Sequence, residues 1–176
     1  MMGVRRVLAV AVGAVAVLGL AGWGITTPPR YVPQRFHPQL RLWLAQHPGY
    51  RWADDADCAC EDDLRMQRTV SVGIWKAQPD YHPYLAYGDF DGDRREDVAV
   101  GVKPSGTSGT YRVLILSGRP ASKPFLSQPF GQREAMFFDG PRPEPKRLMV
   151  GAFETEGGTF QPAPGGGYRF VGDDCC

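Results

Sequence analysis

The chain has 176 residues, with 20 Lys and Arg against 19 Asp and Glu, for a net charge of +1. That balance removes the electrostatic case for a nucleic acid or an acidic polymer as partner, and the length suits one domain with a short appendage. With 22 Gly and 16 Pro the chain is rich in loops but short of disordered composition, and 43% hydrophobic residues can supply a core.

Arg5 and Arg6 precede an uncharged run that reaches Pro29. Its most apolar part, 7–21, has the length of a signal-peptide core, and extension to Ile25 gives a stretch long enough to span a bilayer. Positive charge ahead of the run places the N-terminus in the cytoplasm and the remainder outside it. Residues 1–25 are therefore expected to be a signal-anchor or a cleaved signal peptide. The protein is then anchored in the inner membrane with a periplasmic domain, or secreted to the periplasm if cleaved. Trp23 stands where a lipidated Cys would follow Leu20-Ala21-Gly22, so lipid attachment is not expected. Residues 26–36, with Pro28, Pro29 and Pro33, read as a stiff linker, and 37–176 as the extracytoplasmic domain.

A short helix is predicted over 38–46, with Leu40, Trp43 and Leu44 on one face and His47-Pro48-Gly49 ending it. A second is predicted from an Asp62 cap, with Arg65 and Arg68 toward its end. Residues 70–75 alternate as a strand. Strands follow at 84–87, 98–102, 111–116, 135–138, 148–153, 157–160 and 168–171. Joined by short loops, they imply an α+β fold, with short N-terminal helices packed at one face of a mainly antiparallel sheet.

Between the strands at 84–87 and 98–102 lies Gly88-Asp89-Phe90-Asp91-Gly92-Asp93-Arg94-Arg95-Glu96-Asp97. Carboxylates this dense repel one another unless a cation sits among them, and calcium takes six to eight oxygen ligands from such groups. Asp89, Asp91 and Asp93 are expected to give side-chain oxygens, Arg95 a backbone carbonyl, and Asp97 to close the shell directly or through water. An EF-hand is excluded: position 12 is Val100 rather than Glu, position 6 is Arg94 rather than Gly, and the exit is β-rich. Gly88 to Asp93 followed by Asp97-Val98-Ala99-Val100 resembles the calcium loop of FG-GAP and VCBS repeats. Arg94 stands where those repeats usually carry a second Gly, and no second copy of the motif occurs, so a propeller is not expected. More loosely, 37–68 and 83–102 resemble small bacterial envelope proteins of unknown function that carry one such loop in an α+β domain. That resemblance implies a fold and a location and no activity.

Cys58, Cys60, Cys175 and Cys176 allow three disulfide pairings. Two join the acidic segment to the C-terminus. The third needs a Cys-x-Cys bridge and a vicinal bridge, both strained. Outside the cytoplasm, cross-links from Cys58 and Cys60 to Cys175 and Cys176 are expected. The alternative is a thiolate site for zinc or Cu(I).

His37, His47 and His82 all precede Pro, which suits loop edges more than a catalytic site. No metalloprotease, serine-hydrolase or Cys-His signature is present. Glu154 and Glu156 could share one face as a glycosidase-type pair. Trp43, Trp52, Trp75, Tyr81 and Tyr84 either line a groove or fill the core. The sequence thus favours a non-enzymatic envelope protein with a calcium-stabilised loop, acting as a binding or inhibitor-like module toward a protein or glycan. The alternatives are a small envelope hydrolase acting on peptidoglycan or glycans, and a thiol-based metal-binding protein.

Overall fold

The structure, a computed structural model, describes residues 27–71, 76–106, 109–119, 121–138, 147–153 and 157–172. The expected leader, most of the strand expected at 70–75, Glu154, Glu156, Cys175 and Cys176 lie outside these. Among the described residues no helix is long and apolar enough to cross a membrane.

A 3-10 turn at Gln34–Phe36 runs directly into helix α1 (His37–Gln46). Pro38 sits in its first turn, where a missing N–H costs nothing. At the other end the His47 N–H reaches back to the Leu44 carbonyl, and Pro48 follows. Val32, Phe36, Leu40 and Trp43 form one stripe, buried against Val98, Val100, Val102 and Leu114. Leu44 packs at its margin, as its spacing predicts.

Strand β1 (Tyr50–Trp52) follows, then a 3-10 turn at Asp55–Asp57 and helix α2 (Glu61–Thr69). Cys60, not Asp62, is the N-cap of α2. Asp62 falls in the first turn with Glu61 and Asp63, where carboxylates favour the positive end of the helix dipole. Asp54 caps the preceding 3-10 turn reciprocally with Asp57, so the acidic segment is largely consumed by capping.

Among the described residues, nine strands form two antiparallel sheets rather than the single sheet expected. The first joins β1, β2 (Leu85–Gly88), β3 (Asp97–Pro104), β4 (Thr110–Leu116) and β5 (Phe125–Gly131). The second is a meander of β6 (Glu134–Phe138), β7 (Leu148–Ala152), β8 (Gly157–Pro162) and β9 (Tyr168–Gly172). One face of the first sheet carries the α1 stripe. The opposite face presents Ala99, Tyr111, Val113, Ile115 and Phe130 to Met136, Leu148, Val150 and Phe160 of the second sheet. The order is therefore helix, sheet, sheet. Leu64 of α2 joins the inter-sheet core, so the two helices do not share a face.

Covering both faces explains why Val98-Ala99-Val100-Gly101-Val102 reads as a continuous apolar run rather than an alternating one. Each large aliphatic side chain buried this way stabilises the fold by about 1.5–3 kcal/mol. β1 and β2 lie end to end along the same edge of β3: Trp52 pairs with Val102 and Leu85 with Val100. They meet at Gly101, whose N–H donates to Tyr84 O (2.8 Å) while its carbonyl accepts from Ala53 N (2.9 Å). A Cβ there would lie 2.7 Å from the Tyr84 Cβ, so only glycine fits.

β5 carries no strand signal in the sequence, because Pro129 interrupts it and its apolar residues do not alternate. It is an edge strand, where Pro is tolerated. The register slips between Arg112 and Leu114, and the Val113 N–H is satisfied instead by the buried Ser127 hydroxyl at 2.8 Å.

Beside β1, Asp57 accepts two hydrogen bonds from the Arg51 guanidinium and one from the Lys103 amine at 3.0 Å. Lys103 is only 4% exposed, so Asp57 is its required counter-charge.

Candidate metal centre

Residues 89–96 connect β2 to β3, and pairing of Gly88 with Asp97 closes the connection. Phe90 is buried in the inter-sheet core and pins the loop to the body of the protein. Gly92 (φ 79°) and Arg94 (φ 68°) take left-handed backbone, which turns the chain tightly enough to bring alternate carboxylates together.

Short side-chain oxygens hold this turn from within. Asp89 Oδ1 accepts from the N–H groups of Gly92 (2.7 Å) and Asp93 (3.0 Å), and its Oδ2 from Arg94 N–H (2.7 Å). Asp91 Oδ1 accepts from Asp93 N–H (3.1 Å), and Asp93 Oδ1 from Arg95 N–H (2.8 Å). Asp97 is fully buried at the loop's base, its Oδ2 accepting from Phe90 N–H and its Oδ1 from Gly118 N–H, both at 2.9 Å. The Tyr168 hydroxyl approaches Asp97 Oδ2 at 3.4 Å.

One carboxylate oxygen from each of Asp89, Asp91 and Asp97 lies within 4.8 Å of the other two. Oxygens this close suit a divalent metal ion without selecting which one. Burial pushes the Asp97 carboxyl up, against the pull of its two backbone donors. A cation among the three would favour the ionised form that burial disfavours.

Asp93 stands apart from this trio. Its Oδ2 accepts from Arg119 Nε, and the same guanidinium lies 3.8 Å from Asp91 Oδ2. The Arg119 hydrogen bond, more than any other influence, draws the Asp93 carboxyl below the usual range, and Asp93 in turn raises the guanidinium. Of the five residues expected around an ion, three converge, Asp93 is held by an arginine, and Arg95 donates its N–H to Asp93 Oδ1.

Gly118, Arg119 and Tyr168 were missed from sequence, although a signal for the first two existed. Val98 pairs with Leu116, so the residues just past β4 must return beside Asp97. Tyr168 arrives from the second sheet, which nothing in the loop announces.

Other candidates among the described residues have structural partners. The ring nitrogens of His37 and His47 contact the carbonyl oxygens of Val32 and Trp43. His82 contacts Asp55 at 3.1 Å and stacks on Tyr31. Trp43, Trp52, Tyr81 and Tyr84 are buried in the core rather than lining a groove. Cys58 and Cys60 are both buried, with Sγ atoms in close contact and Cα atoms 5.1 Å apart. Their contact suits a local Cys58–Cys60 pairing, while Cys175 and Cys176, the partners expected from sequence, lie outside the described residues. No protein family, no curated protein and no solved structure was found to match this chain.

Proposed function

We propose that this chain is a non-enzymatic extracytoplasmic envelope protein whose acidic loop takes one calcium ion, and that the ion holds the β2–β3 hairpin in place for binding elsewhere on the surface. The N-terminal segment tethers the domain to the membrane, or directs its export and is removed. The observation that carries the ion reading is the convergence of Asp89, Asp91 and Asp97 within 4.8 Å. Calcium is favoured over magnesium because an irregular loop suits its variable coordination, whereas magnesium demands a near-ideal octahedron. The spacing of the loop, with its resemblance to FG-GAP and VCBS calcium loops, supports the same choice.

An ion here has structural leverage. β3 is paired on both edges, and Asp97 is its first residue. Neutralising the loop therefore stabilises the strand on which the first sheet is assembled. The test is the melting temperature of the purified chain in calcium and in EGTA, for wild type and Asp91→Ala. Calcium raises the melting temperature of the wild type by several degrees, and the variant loses that response. An identical melting temperature in calcium and EGTA would remove the ion from the proposal.

A further inference from the structure

Next to the acidic loop lies a groove of about 620 Å³. One wall carries Ser117, Arg119, Lys123 and Phe125. The other is the β8–β9 hairpin, including Gly165, Gly166 and Tyr168, and Asp91 also lines the groove. We infer that this groove binds an acidic saccharide, and that the cation state of the neighbouring loop governs its affinity. The second half of this inference rests on the proposed calcium site.

Size and surface chemistry point to a small polar ligand with an apolar face. The volume falls in the range of small-molecule sites. Phe125 and Tyr168 meet edge to face at 5.6 Å and offer ring surface of the kind that sugar C–H faces pack on. Ser117 and Ser122 line the same groove and supply hydroxyls. At the hairpin tip Gly165 (φ 89°) and Gly166 (φ 98°) have open space where a Cβ would stand, so a ligand can approach backbone there.

Charge selects the acidic member of that class. Lys123 is exposed and makes no ion pair among the described residues. Arg119 lines the groove, but its guanidinium is committed to Asp93 and lies near Asp91. With the loop free of metal, Asp91 offsets much of the positive charge facing the groove. A divalent ion held by Asp89, Asp91 and Asp97 offsets most of their negative charge and so weakens the repulsion of an acidic ligand. It also takes up Asp91, 3.8 Å from the Arg119 guanidinium, while Arg119 keeps its hydrogen bond to Asp93, so Lys123 is the cation left to meet a ligand carboxylate.

The test is calorimetric titration of the full chain with a tetrasaccharide alternating glucuronate and N-acetylglucosamine. The neutral N-acetylglucosamine tetramer is the control, each is run in calcium and in EGTA, and the melting temperature is read separately. The acidic sugar is expected to bind in calcium and to weaken at least about tenfold in EGTA. The neutral sugar is expected to bind at least about tenfold more weakly than the acidic one. Lys123→Ala should lose about tenfold in affinity with its calcium-dependent melting unchanged, while Lys123→Arg retains binding. If calcium raises the melting temperature but the two sugars bind alike, or Lys123→Ala binds as wild type does, the groove inference fails while the calcium site stands. Equal acidic-sugar affinity in calcium and EGTA overturns the coupling. A melting temperature indifferent to calcium overturns the calcium site itself and the coupling with it.

Discussion

Arg119, just beyond the end of β4, directs its guanidinium at the carboxylate of Asp93, 26 residues earlier in the chain. It neutralises part of the acidic loop from outside, doing with one protein cation some of what a bound metal would do from within. Arginine and metal share only Asp91, whose Oδ2 lies 3.8 Å from the guanidinium, but their like charges oppose one another across the loop. Arg119→Ala is expected to tighten calcium binding several-fold and to lower the melting temperature in EGTA. Isothermal titration with calcium checks the first effect. Weaker binding in the variant would mean that Arg119 organises the site rather than opposing the ion.

Arg94 carries the backbone strain of the loop. Its φ of 68° costs a non-glycine residue about 1–2 kcal/mol, whereas glycine takes this conformation freely. Its N–H donates to Asp89 Oδ2, a bond that a glycine keeps. Against the relief stands glycine's greater unfolded-state entropy, about 0.5–1 kcal/mol. Arg94→Gly is expected to stabilise the protein by about 0.5–1 kcal/mol in chemical denaturation. It should also strengthen calcium binding by removing a nearby positive charge. A fall in stability would show that the Arg94 side chain contributes more than its backbone costs.

The half-buried Asp57 and the buried Asp97 give opposite responses to pH. The Arg51 hydrogen bonds hold Asp57 well below the usual carboxylate range, overcoming burial and assisted by Asp54 N–H and Lys103. Its contribution to stability is present above the unfolded-state value of about 4 and is lost as pH falls through the folded one. Asp97 is raised by burial, so its contribution is present in acid and lost as pH rises through the raised value. Ionised Asp97 thus burdens the metal-free fold at neutral pH. The calcium-induced rise in melting temperature is expected to shrink as acid protonates Asp97. Asp57→Ala should cost about 3–5 kcal/mol, because Lys103 is left buried without a partner. It should also flatten the acid limb of the stability profile, which denaturant melts from pH 7 down to pH 3 would reveal.

The close approach of Cys58 and Cys60 makes a prediction about reduction. A bridge across so short a segment contributes about 1.5 kcal/mol in the chain-entropy treatment, against 4 to 5 kcal/mol for one closing roughly 115 residues. Dithiothreitol is therefore expected to lower stability only modestly. Peptide mapping of the unreduced protein should find Cys58 and Cys60 joined. A large loss on reduction, with a peptide linking either residue to Cys175 or Cys176, would overturn the local pairing.

The β3 and β4 strands, α1 and the acidic loop were legible because each is specified locally. Apolar spacing marks α1, a β-branched run marks β3, and Asp at alternate positions around Gly92 marks the turn. β1 is only three residues long and carries Arg51 at its centre, so no run announces it. β5 is broken by Pro129 and held by the Ser127 hydroxyl, a partnership that exists only once β4 is beside it. The partition into two sheets was hidden for the same reason: Phe130, Phe160 and Phe170 converge from three strands, and no window of sequence contains them together. At the site, the position of the acidic loop between two paired strands was legible from its alternating Asp and the apolar run that follows. The split between Asp89, Asp91 and Asp97 on one side and Asp93 on the other depends on Arg119, which arrives by tertiary pairing.

The edge of β3 shared by β1 and β2 bears on the order of folding. β2 reaches β3 through a short acidic loop, whereas β1 must close a chain of about fifty residues to reach the same edge beyond Gly101. Closure entropy grows with loop length, so the β2–β3 hairpin is expected to form first and β1 to dock onto a strand already in place. Pulse-labelled hydrogen exchange during refolding should protect backbone amides in Leu85–Gly88 before those in Tyr50–Trp52. Calcium added at the start should hasten the first phase and leave the second unchanged. The acidic loop would then be a nucleation device for the first sheet as well as a brace for the finished one.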